Sequence, residues 1–187
     1  MCIRDSKGGC GLYVSDLLSP IPRTDLQFKI VDKNSQSESY WIELNTESGP
    51  NTIIGVVYRH PSGKSDKFID SLESTLKKIR KENKKTVICG DFNFDLLNFD
   101  KEKNINQFLC TMLDYGFQPR ITEPTRITNT NKPSLVDNIF TNTFDNPVSG
   151  NILEQISYDH LPNFTVLDDI KNKNPVLLSN EISGTST

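Results

Sequence analysis

An α/β fold is predicted by three features of the sequence. Strand-like runs alternate with segments of helical periodicity. One run, Asn51 to Arg59, is apolar on both faces, as an interior strand covered on both sides must be. And 187 residues, 35% of them hydrophobic, suffice for one such domain but not for two large ones. At this size a domain buries roughly 70% of its unfolded surface, so neither disulfides nor a structural metal is needed to hold it.

Gly8, Gly9 and Gly11 crowd into a turn, after which Leu12-Tyr13-Val14 opens the strand series. Leu26 to Val31 and Tyr40 to Leu44 alternate apolar and polar residues, the pattern of half-buried strands. Asn51 to Arg59 (NTIIGVVYR) is rich in β-branched residues and forms the core strand. Phe68, Leu72, Leu76 and Ile79 then recur at spacings of four, four and three, one stripe of a helix from Ser65 to Asn83 with Ser65 as N-cap. Thr86 to Cys89 is a buried strand. Ile105, Phe108, Leu109, Met112 and Leu113 mark a second amphipathic helix that stops near Gly116. Polar turn-formers from Thr122 to Lys132 make a loop, and Ser134 to Thr141 and Phe164 to Leu167 close the strand series. Met1 to Ser6 is set apart as a leader foreign to the domain, and residues 171–187 as a tail or linker, leaving 7–170 as the domain.

Twenty-one Lys and Arg against 24 Asp and Glu give a net charge of -3, so the whole molecule is not drawn to nucleic acid and any such contact must be local. No apolar run approaches the ~20 residues that cross a bilayer, which excludes a membrane span. Cys2, Cys10, Cys89 and Cys110 show neither a C-x-x-C pair nor zinc spacing. Two lie in apolar contexts suited to buried, reduced thiols, and an intracellular compartment is expected. The basic run Lys77, Lys78, Arg80, Lys81, Lys84 and Lys85 ends the first helix, where it complements the helix dipole as a solvated face.

Four places carry chemistry. The strand Thr86 to Cys89 runs into Gly90-Asp91-Phe92-Asn93, where a period of two points Asp91 and Asn93 to one side and Phe92 to the other. An acid and an amide together can orient a water and hold a substrate oxygen, although a Gly-Asp-x-Asn turn accounts for the same letters. Asp159-His160 precedes the last strand and can bind a metal and meet a phosphate, or simply close a loop. Asp137 interrupts the apolar strand SLVDNIF and, if buried, needs a cationic or donor partner, for which an imidazole is suited; on an edge it needs none. Tyr58 ends the core strand, where it can touch a phosphate or lie at an interface with its hydroxyl in water. Arg120 and Arg126, in the polar loop, are the arginines best placed for phosphate contacts. Glu43 and Glu47 are left outside the site, Glu43 as a surface strand position.

In this order, GGCGLYV, GVVYRHP, TVICGDFNFDL, SLVDNIFTN and DHLP resemble the endonuclease/exonuclease/phosphatase superfamily. YRHP, GDFNFDL, EPTR and SLVDNIFTN resemble its abasic-site-endonuclease-like branch, found in non-LTR (LINE-type) retrotransposon polyproteins. The resemblance implies a four-layer α/β sandwich, two packed mixed sheets flanked by helices, incomplete here on its N-terminal side. It implies a Mg²⁺- or Mn²⁺-dependent DNA endonuclease that nicks target DNA, inside the nucleus at its point of action, with a reverse transcriptase domain following in the intact polyprotein. By the same resemblance Asp91 orients or deprotonates the attacking water, Asn93 helps hold the phosphate, and His160 stabilises the charged transition state. Asp137 orients His160, Tyr58 touches the scissile phosphate, Asp159 ligates the metal, and Arg126 and Arg120 bind substrate.

The sequence departs from the family pattern in lacking the early Asn and metal-binding Glu, and in placing Tyr158 rather than Ser before Asp159. Impaired activity is therefore expected. The alternatives are another phosphoesterase of the superfamily, acting on RNA or small phosphoesters, and a catalytically inert DNA-binding remnant.

Overall fold

A computed structural model of the chain describes residues 9–33, 35–46, 50–127, 132–143, 150–152 and 159–166. The leader Met1 to Ser6 and the tail 171–187 lie outside these residues. The fold is α/β, a mixed sheet with flanking helices. Among the described residues nine strands and two helices follow in the order β1 (Ile21–Pro22), β2 (Lys29–Asp32), β3 (Ser35–Leu44), β4 (Thr52–Tyr58), α1 (Ser65–Glu82), β5 (Thr86–Asp91), α2 (Lys103–Asp114), β6 (Gln118–Pro119), β7 (Asp137–Thr141), β8 (Gly150–Ile152) and β9 (Asn163–Thr165). Seven form one sheet in the order β1-β3-β4-β5-β7-β6, with β2 also on β3, and β8 and β9 form a separate antiparallel ladder. Of the layers implied by the resemblance, the described residues hold the large sheet, a helical layer and this small ladder.

The pair β4 and β5 is parallel because α1 carries the chain back between them, while the other pairings in the sheet are antiparallel. Phe68, Leu72, Leu76 and Ile79 of α1 and Phe108 and Met112 of α2 are almost wholly buried, in one cluster with Ile53, Val57, Ile88 and Phe140 of the sheet. Each such side chain contributes roughly 2 kcal/mol of burial. Alternation along the paired strands leaves Tyr58, Asp91 and Asp137 on the opposite face.

Several details differ from the sequence reading. Leu12 to Val14 form no strand. Cys10, just before them, donates its N–H to the Glu38 carboxylate at 3.1 Å, and Tyr13 projects into solvent, so this segment makes no ladder pairing. Leu26 closes a short 3-10 turn, and pairing begins only at Lys29. β3 starts five residues before Tyr40, because the polar run Ser35 to Glu38 pairs with β2 before the strand passes onto β4 from Glu38. The helix N-cap is Lys64, not Ser65, and makes no side-chain capping bond. Asn83, left-handed at φ 50°, closes α1, and Gly116 at φ 82° follows the end of α2.

Glu43 is not a surface residue. It is buried with Arg23 at 2.8 Å and Lys84 at 2.8 Å, because the end of α1 covers its side of β3 and brings Glu82 into the same network. Lys84 therefore leaves the solvated basic face. Cys10, Cys89 and Cys110 are free thiols; Cys89 is half-buried and Cys110 exposed. Among the described residues no helix is long and apolar enough to cross a membrane.

Candidate active site

Register builds one end of the site. Tyr58 pairs with Asp91 across β4 and β5, and Asp91 with Asp137 across β5 and β7, so three polar side chains stand in a row across neighbouring strand ends. Gly90 is required for that pairing, since a Cβ there would run into the backbone carbonyl of Val57. Beyond Asp91 the chain turns. Phe92 and Phe94 insert into the core, where Phe94 stacks on Phe108 at 4.8 Å, while Asp91 and Asn93 are half-buried. Asn93 reaches Asp91 through a turn rather than by strand alternation. It adopts a left-handed φ of 49°, its backbone N–H donates to Asp91 Oδ1 at 3.0 Å, and its side-chain amide donates to the Arg59 carbonyl at 2.7 Å.

Arg59 clamps this turn. Its buried guanidinium donates from Nε to the Phe92 carbonyl at 2.8 Å, from Nη2 to the Asn93 carbonyl at 2.8 Å, and from Nη1 to the carbonyls of His60 and Gly63. It also lies 4.1 Å over the Phe94 ring. Burial works against its charge and the nearby Asp91 carboxylate in favour of it.

The second half comes from the far end of the sequence. His160 Nδ1 lies 2.8 Å from Asp137 Oδ2, the contact that the sequence reading required of a buried Asp137. The strand end bearing Asp137 and the segment bearing His160 are joined through the loop: Arg126 forms β-bridges to both Ser134 and His160, and Ile127 donates to the Asp159 carbonyl at 2.7 Å. Thr125, fully buried, accepts the N–H groups of Val136 and Asp137 on its hydroxyl at 3.2 and 3.0 Å.

Electrostatics follow from this crowding. Burial pushes the Asp91 carboxyl up to about 6; Asp137 adds to the rise and His160, the Asn93 N–H and Arg126 oppose it. His160 is raised, chiefly by its hydrogen bond to Asp137. Asp159 is lowered by Arg126, whose Nε sits 3.0 Å from its Oδ2 at the exposed rim. Tyr58 is raised by burial and then by Asp91.

Asp91, Asp137 and His160 offer ligand atoms that all lie within 4.8 Å of one another. Two carboxylates in that space suit a hard divalent cation, and their mutual repulsion is what such a charge would relieve. Asp159, held by Arg126, is not a member of this group.

The structure thus brings together Asp91, Asn93, Asp137, His160 and Tyr58, with Asp159 and Arg126 beside them. Arg120 is placed elsewhere. Its guanidinium donates to the Thr143 carbonyl at 2.6 Å, just past the end of β7 opposite Asp137, because its own N–H is tied to Ile139. Arg59 and Thr125 are what the sequence reading passed over. The motifs YRHP and EPTR carry them.

A family described as endonuclease-reverse transcriptase matches residues 52–164, which include every one of these site residues. The solved endonuclease domain of TRAS1, a telomere-specific non-LTR retrotransposon, is similar in fold at TM-score 0.60 and 17% identity, over 83% of this chain and 69% of that one. An endonuclease/exonuclease/phosphatase family protein from Bacteroides thetaiotaomicron aligns at TM-score 0.52 and 15% identity, over 70% of this chain and 54% of that one. The catalytic domain of Xenopus laevis APE2 aligns at 0.51 and 14%, over 72% and 56%. The chain therefore spans little more than half the length of the last two structures. No curated protein matches it. The chain belongs to the endonuclease-reverse transcriptase family, within the endonuclease/exonuclease/phosphatase superfamily.

Proposed function

We propose that this chain is a metal-dependent phosphodiesterase, a DNA endonuclease domain that nicks target DNA for retrotransposition. In this reading residues 7–170 are the domain, and 171–187 lead toward a reverse transcriptase in the intact polyprotein, which works on DNA in the nucleus. The observation that carries the reading is the convergence of Asp91, Asp137 and His160 beside Asn93 at one end of the sheet. The family match and the likeness to the TRAS1 domain support it.

Phosphodiester hydrolysis needs a water held in line with the leaving oxygen and donors preset where negative charge develops. Asp91, whose carboxylate also accepts the Asn93 backbone N–H, is the group that would orient the water and take up its proton. Asn93 holds the phosphate beside it. With Nδ1 turned to Asp137, His160 presents Nε2 to the substrate, and its raised proton affinity favours the charged donor that a pentacoordinate phosphorus needs. Tyr58 offers its hydroxyl to the same phosphate.

Asp91 and Asp137 would hold the cation, which is Mg²⁺ or Mn²⁺ in this proposal; when bound it neutralises phosphate charge as a Lewis acid. Asp159 joins the ligands only by giving up Arg126, and a DNA phosphate is the anion that can take the guanidinium in exchange. Arg120 would meet only DNA that extends to the other end of β7.

The test is substrate. A supercoiled plasmid incubated with the chain and Mg²⁺ should accumulate nicks whose 3′-hydroxyl ends prime a polymerase, while small phosphoesters stay intact. Hydrolysis of the small esters without nicking would transfer the site to another branch of the superfamily.

A further inference from the structure

We propose that Thr125 is a positioning residue, whose hydroxyl and carbonyl together fix Asp137 against His160. This rests on the reading above that the Asp137–His160 pair serves the chemistry. Thr125 is fully buried and bonds to two segments at once, 134–137 and the one bearing His160. Its N–H donates to the Ser134 carbonyl at 2.9 Å, and its hydroxyl accepts from Val136 and Asp137, where β7 begins. Its carbonyl accepts the N–H of Leu161, next to His160, at 2.6 Å.

A hydroxyl oxygen has two lone pairs, and here two backbone N–H groups take both. The arrangement matters because β7 pairs with β5 only from Asp137 onward, so without Thr125 the Val136 and Asp137 N–H groups would lose the acceptor they share. The residue contacts neither the Asp137 carboxylate nor the imidazole. It acts on both through backbone, and the 2.8 Å contact between them depends on the relative placement of the two segments it joins. EPTR thereby gains a physical role: its threonine ties the acid to a histidine 23 residues further along the chain.

Thr125→Val keeps the shape and removes the acceptor; Thr125→Ser keeps the acceptor. The ring ¹⁵N shifts of His160, separated from those of His60 by comparison with His160→Ala, report which nitrogen carries the proton when the ring is neutral. The wild-type chain and Thr125→Ser should show the Nδ1–H tautomer that Asp137 selects. Thr125→Val should revert to the Nε2–H tautomer usual for free histidine, with a well-dispersed amide spectrum. Nicking kcat should fall about tenfold or more in the valine variant, with KM little changed, and recover in serine.

An unchanged tautomer in Thr125→Val overturns the proposal. If that variant does not fold, amide exchange in the wild-type chain decides: Val136 and Asp137 must exchange as slowly as the amides of β5, and fast exchange overturns it equally. A chain whose His160 tautomer depends on Thr125 but which never nicks DNA supports this inference and refutes the functional reading.

Discussion

Replacing Asp91 by asparagine should stabilise the fold and abolish nicking. The carboxyl is raised from 3.8 to about 6 by burial and by Asp137, a shift of about 2 units, or roughly 3 kcal/mol at 1.36 kcal/mol per unit. The sign follows from proton binding. Between pH 4 and 6 the folded chain holds a proton that the unfolded chain has released, so stability falls as pH rises through this window and stays low above it. Asparagine carries no charge and avoids that cost, while its side-chain oxygen still accepts the Asn93 N–H that Asp91 accepts at 3.0 Å. At roughly 2–4 °C per kcal/mol for a domain of this size, Tm should rise by up to about 10 °C at pH 7.5. The gain should vanish at pH 4, where the wild-type carboxyl is itself neutral. Thermal melts in EDTA at both pH values, with plasmid nicking in parallel, make the measurement. An asparagine variant that melts below the wild-type chain at pH 7.5, or a gain that persists undiminished at pH 4, would show that the buried Asp91 carboxylate does not destabilise the fold.

Three further perturbations follow from the geometry. Asp137→Asn removes the main cause of the raised His160, so an NMR titration should show the ring losing its proton at lower pH; the stability that the pair contributes below the ring's folded pKa, and loses as pH rises through it, should go as well. Arg59→Met leaves the carbonyls of Phe92, Asn93, His60 and Gly63 without their donors and should cost about 3 kcal/mol or more in urea denaturation, far beyond an exposed arginine such as Arg126. Gly90→Ala must push β4 from β5 beside the Tyr58–Asp91 pair, and should lower both Tm and nicking, where Gly63→Ala, whose Cβ would sit a tight 3.1 Å from the His60 carbonyl and 3.3 Å from the Ser37 hydroxyl, asks for a much smaller shift and should do less.

Legibility in the sequence followed burial. The interior of the sheet and both helices were readable because their apolar residues face one core: the stripe Phe68, Leu72, Leu76 and Ile79 is the buried face of α1, and NTIIGVVYR is β4 with one neighbour on each side. β3 was cut short because Ser35 to Ser39 carries no apolar signal, although its neighbours bury it. Glu43 misled for the same reason, since alternation cannot tell water from the basic end of a helix. Within the site, Asp137 announced its need for a partner by interrupting an apolar strand. What the letters could not give was where a loop would carry Arg120, or that Asn93 meets Asp91 through a left-handed turn held by Arg59. Those outcomes depend on backbone carbonyls, which every sequence has in equal number.

In the proposed function Asp91 and His160 act together on a DNA phosphodiester. Its most direct test compares the rate at which the chain opens supercoiled plasmid in Mg²⁺ with the rates of Asp91→Ala and His160→Ala. Nicking by the wild-type chain and a loss of about 100-fold or more in each variant are expected. Equal rates in all three proteins would contradict it.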